Sequence, residues 1–150
     1  MTRRESAMDN FRKGYNCSQS IVLAFEDMLP VDKTLLSKMA SSFGGGMGRL
    51  REVCGSVSGM FMTAGLLYGY DGPETGDVKA DHYARIQELA RRFEEKNGSI
   101  VCRELLNLNV RHDKPVPEER TDEYYKKRPC PELIGDAVEI LEEYIKENPV

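Results

Sequence analysis

Cys17, Cys54, Cys102 and Cys130 have the widest chemical reach of any residues in this chain. A thiolate attacks disulfides and binds soft metals, and four thiolates complete the ligand shell of an iron–sulfur cluster or a tetrahedral zinc. No pair has the C-x-x-C spacing of thioredoxin-like sites or zinc knuckles, so any shared centre has to be assembled by folding. Two histidines, His82 and His112, lack a partner at ligand spacing, which argues against a His-based zinc hydrolase. The pair His112-Asp113 reads as an ordinary loop contact.

The elements that would position the thiols follow from apolar spacing and caps. The stretch Thr2 to Lys13 predicts a first helix, ended by Gly14. Asn16 is suited to cap a second with Ile21, Ala24, Phe25 and Met28 on its stripe, and Asp32 a third with Leu35, Leu36 and Met39 inward. Gly44-Gly45-Gly46-Met47-Gly48 is too glycine-rich for a regular element. The uncharged run Val53 to Tyr70 predicts a long helix buried on all sides, with Gly55, Gly59 and Thr63 as a small-residue stripe for close helix contact. A fifth helix runs from Asp77 to about Lys96 with Tyr83, Ile86, Ala90 and Phe93 inward, a short sixth from Ser99 through Leu106, and the last from Pro131 to about Lys146. The polar segment 107–120, with two prolines, reads as an exposed loop able to act as a lid. No alternating pattern of a strand is present. The expected fold is therefore all-α, a single-domain helical bundle of about six to seven helices over residues 1–150.

These boundaries put all four cysteines in or just before the first turn of a helix, or at its cap. Exposed N–H groups and the helix dipole favour a thiolate there. Ile21, Val57, Leu105 and Ile134 lie three or four residues beyond the cysteines, so each sulfur points along an apolar stripe and the four can converge at one end of the bundle. A buried, structural thiol fits that stripe as well.

The strings Tyr15-Asn16-Cys17-Ser18-Gln19, Phe43-Gly44-Gly45-Gly46-Met47-Gly48-Arg49 and Cys54-Gly55-Ser56-Val57-Ser58-Gly59, followed by single cysteines, resemble the C_GCAxxG_C_C family of redox-active proteins. The resemblance spans about Tyr15 to Cys130 and matches the four cysteines one for one. Ser56 stands where the motif has alanine, which adds a hydroxyl near Cys54. A related region occurs in cytochrome-type proteins with an iron–sulfur centre. The resemblance implies a redox role and supports metal binding.

Three readings stay open. In the first, Cys17, Cys54, Cys102 and Cys130 ligate an iron–sulfur cluster or another metal, zinc among them, for electron transfer or redox sensing. In the second, Cys54 is the attacking thiol of a disulfide relay, activated beside Arg51 and the glycine loop. In the third, a helical interaction module has structural cysteines, and replacing them changes stability alone. Gly45, Gly46 and Arg49 are candidates for holding a small anionic ligand, although no strand precedes them and no Gly-Lys-Ser/Thr follows. The expected partner is a redox protein or a small thiol, and a homodimer stays open.

Composition narrows the classes further. The chain has 150 residues, 40% hydrophobic and 31% charged, with a formal net charge of -4, an ordinary globular balance without the basic surface that nucleic acid requires. The start MTRRESAMDNF has no apolar stretch behind its arginines, so the expected compartment is the cytoplasm. Gly, Ser and Thr make 53–70 too weakly apolar for a membrane span.

Overall fold

The computed structural model describes residues 1–73 and 76–150, and it is all-α. Eight helices follow one another: α1 (Arg3–Arg12), α2 (Cys17–Ala24), α3 (Lys33–Ala40), α4 (Gly55–Tyr68), α5 (Asp77–Asn97), α6 (Cys102–Leu105), α7 (Asp122–Lys127) and α8 (Cys130–Glu147). A single antiparallel bridge, Val53 with Val101, is the sole β-type pairing among the described residues. None of these helices is long and apolar enough to cross a membrane.

Local chemistry sets the ends. Thr2 accepts from the Glu5 amide while the Glu5 carboxylate accepts from the Thr2 amide, a reciprocal cap that starts α1. Asn16 and Gln19 do the same for α2, at 2.8 and 3.0 Å. Asp32 caps α3 through the Leu35 amide. Gly98, at φ 90°, ends α5, and Pro131 sits in the first turn of α8. Thr121 caps α7, a helix that sequence periodicity does not announce because no apolar stripe runs through DEYYKK.

α4 is the central element: its first six residues, Gly55 to Met60, are all buried. It packs on α2 at Gly59, where an added Cβ would stand 2.8 Å from Ile21 Cβ and 2.9 Å from the Ser18 carbonyl. The apolar core joins Phe11, Ile21, Phe25, Met60, Phe93 and Leu141 from five helices and the turn after α2. On α3 and α5 the inward face is rotated from expectation. Leu36, Ala40, Leu89 and Phe93 are buried, whereas Leu35, Met39 and Tyr83 are about half exposed. Each helix meets the core along one narrow line, so the outer members of its stripe stay in water.

Two glycines of α4 give a matched test. At Gly59 nothing larger than hydrogen fits, while no heavy atom lies within 4 Å of a Cβ at Gly65. Gly59→Val is expected to destabilise by about 1–3 kcal/mol through overpacking. Gly65→Ala is expected to stabilise by about 0.5–1 kcal/mol through helix propensity. Urea unfolding of both variants checks the opposite signs.

Candidate four-cysteine redox centre

The fold delivers each cysteine by a helix start. Cys17 is the first residue of α2, Cys102 of α6 and Cys130 of α8, and Cys54 is the N-cap of α4. Glycine permits the approach. A Cβ at Gly55 would lie 3.0 Å from Cys17 Cβ, and one at Gly46 would lie 2.6 Å from Cys102 Cβ. All four thiols, free of disulfides, line one cavity of about 280 Å³.

They form two unlike pairs. Cys17 and Cys130 are neighbours whose thiols shift each other's ionisation. Cys54 and Cys102 flank the Val53–Val101 bridge, with the Cys54 amide donating to the Ile100 carbonyl at 2.8 Å and the Cys102 amide to Glu52 at 2.6 Å. Among the described residues, no three of His, Cys, Asp and Glu are placed to hold a single metal ion.

Burial dominates the electrostatics. It pushes the Cys54 thiol up to about 12, opposed by the nearby Ser56 backbone. Burial also raises Cys102, opposed by the Arg51 guanidinium at 3.6 Å from its sulfur. Cys17 is raised, first by its hydrogen bond to Cys130 and then by burial. Cys130 alone is lowered, because Cys17 donates to its sulfur and Arg128, Arg51 and Arg120 supply positive charge. The sequence expectation of Cys54 as the activated thiol therefore meets the opposite electrostatics. Arg51 is adjacent in the chain, but its side chain turns to Cys102 and Asp113, so the best-stabilised thiolate is Cys130.

Gly45, Gly46 and Arg49 do line the cavity. Their surroundings are those of a packed turn. Residues 45 to 49 all have positive φ, as does Arg51. The amides of Arg49, Leu50, Arg51 and Glu52 donate to carbonyls within residues 44–47, so these four N–H groups are already engaged. The Arg49 side chain holds Asp113 and the Lys114 carbonyl.

Several site residues have no motif in the sequence. Asp113 accepts from Arg51 Nε and Nη2 at 3.1 and 2.9 Å and from Arg49 at 3.2 Å, which holds its carboxyl below the usual range. Segment 107–120 closes over the cavity with Pro115, Pro117 and Glu118, and Arg120 donates to the Phe11 and Tyr15 carbonyls. Arg128 pairs with Glu118 and lies over the half-buried Tyr124, whose hydroxyl is pushed up to about 12 by loss of solvent. No spacing rule joins Arg51 to Asp113 across 62 positions. His112 is exposed, and His82 meets Arg85 on α5, outside the cavity lining.

An all-α fold with four free thiols on one cavity defines a helical cysteine protein. The family described as "Putative redox-active protein (C_GCAxxG_C_C)" matches residues 15–144, and the chain belongs to it. Comparison with curated proteins and with solved structures returns no match.

Reactivity should follow the thiolates. In metal-free, reduced protein, a small neutral alkylating reagent is expected to label Cys130 first and Cys54 last. Labelling of Cys130 should rise and level off at lower pH than that of the other three thiols, because its charged form is favoured. Labelling of Cys54 should still be rising well above that pH. Peptide mapping by mass spectrometry over a pH series reads both, and equal profiles would sink this assignment.

Proposed function

We propose that the cavity holds an iron–sulfur cluster through Cys17, Cys54, Cys102 and Cys130 and serves electron transfer or redox sensing. One observation carries the reading: four sulfurs from four helix starts open onto a single cavity of about 280 Å³. Such a cluster, when bound, accepts and returns one electron. The chain's own residues supply the rest. Cys54, Cys102 and Cys130 are at most 7% exposed, so the sulfurs sit largely out of water. Arg51, Arg120 and Arg128 bring positive charge to a site that collects thiolates. A redox protein or a small thiol is the exchange partner this chemistry requires.

The contact between Cys17 and Cys130 supports a second reading, a dithiol relay. The Cys130 thiolate attacks a substrate disulfide and releases one half as a thiolate. Cys17 then gives up its proton and attacks Cys130, freeing the second half and leaving a Cys17–Cys130 disulfide. The substrate gains the two electrons that the pair loses, and an external dithiol restores the pair.

Anaerobic reconstitution with iron and sulfide, with each cysteine replaced in turn by serine, separates the two. The cluster reading expects a brown protein with equal iron and sulfide, and loss of colour in all four variants. A colourless protein with a reversible two-electron couple, lost in Cys17→Ser and Cys130→Ser alone, would replace it with the relay.

A further inference from the structure

One of the arginines that line the cavity, Arg51, is itself buried. The Arg51 side chain is 5% exposed, and burying a guanidinium is costly unless its N–H groups find acceptors. Nε and Nη2 go to Asp113 at 3.1 and 2.9 Å. The remaining nitrogen, Nη1, is aimed at Cys102 Sγ at 3.6 Å.

The backbone is shaped to the same end. Arg51 has φ 59°, and it follows five consecutive left-handed residues, Gly45 to Arg49. Non-glycine residues adopt that conformation at a cost of about 1–2 kcal/mol each, and Met47, Arg49 and Arg51 all do so. The turn lays the Arg51 backbone on Gly46, where a Cβ would stand 2.8 Å from Arg51 Cα and 2.6 Å from Cys102 Cβ. The Arg51 carbonyl is in turn held by the Arg103 side chain at 3.1 Å, one residue beyond Cys102. Both ends of Arg51 are thus tied to the segment that carries this cysteine.

We propose that Arg51 is the resident counter-ion of the four-cysteine centre, a positioning residue that donates to the Cys102 sulfur and raises the centre's reduction potential. The inference rests on the redox reading but not on the choice between cluster and dithiol. Reduction adds negative charge either to a cluster that Cys102 would ligate or to Cys130, whose thiolate the Arg51 charge also stabilises, and a fixed positive charge favours both reduced forms.

The test compares Arg51→Met, Arg51→Lys and Asp113→Asn by anaerobic potentiometric titration of whichever couple the protein carries, with circular dichroism as the check of folding. Losing the positive charge should lower the midpoint potential, and losing the negative charge at Asp113 should raise it, with Arg51→Lys lying closer to wild type than Arg51→Met. If Arg51 acts only by pinning segment 107–120 through Asp113, Arg51→Met and Asp113→Asn break the same contact and shift the potential in the same direction, which overturns the proposal. An unchanged potential in Arg51→Met also overturns it. Should Arg51→Met fail to fold, Asp113→Asn decides: an upward shift supports the counter-ion role and a downward or absent shift refutes it. If no couple is found, the redox reading has failed by itself, and the reduced protein still tests the contact. Alkylation of Cys102 by a neutral reagent should then slow several-fold in Arg51→Met and not in Asp113→Asn, and no slowing in Arg51→Met refutes the contact.

Discussion

The centre depends on how closely α4 can approach α2. Cys17 opens α2 and Cys54 caps α4, and the two helices meet over Gly55 and Gly59 with no room for a methyl group. A side chain at those positions would press the two helix starts apart and move Cys54 away from Cys17. The same economy recurs at Gly46 against Cys102. A hydrophobic core alone can tolerate reshuffled side chains of similar volume. A centre that needs four sulfurs on one cavity cannot tolerate a shifted backbone, so the small residues at these crossings bear on function as much as on stability.

Helix starts do not by themselves activate the thiols. A full helix presents about half a positive charge at its N-terminus, and the effect fades within a turn. α6 is only four residues long, so Cys102 gains little from it, and Arg51 provides a whole charge at 3.6 Å instead. At Cys17 and Cys54 burial and neighbouring sulfur outweigh the terminus, and both thiols are raised. Cys130 is lowered because several aids coincide there: a neighbouring S–H donor and three arginines. The arginines, more than the helices, decide which sulfur carries charge.

Much of this was legible in the sequence, and the rest was hidden for definable reasons. The caps at Asn16 and Asp32, the stop at Gly98 and the start at Pro131 are local signals, so the cysteines' places at helix starts could be read from them. α7 escaped because its signal is a cap without an apolar stripe. Tyr83, Leu35 and Met39 were expected inward since periodicity gives a face but not the line along which it meets its neighbours. The glycine run announced irregular backbone, but nothing in Met47, Arg49 or Arg51 announces a left-handed conformation, which β-branched-free polar and apolar residues alike avoid. Proximity in the chain pointed from Arg51 to Cys54, whereas the turn sends its side chain to Cys102 and to Asp113, a partner that only the tertiary fold supplies.

The strain in that turn explains why the lid and the centre belong together. Three left-handed non-glycine residues cost about 1–2 kcal/mol each, and a short segment would relax to ordinary angles if nothing opposed it. Asp113 opposes it by accepting from both Arg49 and Arg51, while its own amide donates to the Arg49 carbonyl at 3.0 Å. The half-buried setting makes these charge-assisted bonds stronger than exposed ion pairs. The turn keeps its shape only while segment 107–120 lies across it, and the segment finds its anchor only while the turn presents both guanidinium groups. Arg120 fixes the far end of the same segment on the carbonyls of Phe11 and Tyr15, next to Cys17. Whatever holds the cysteines in place therefore favours the turn, and the turn favours the position of segment 107–120, whose Pro115, Pro117 and Glu118 line the same cavity as the sulfurs.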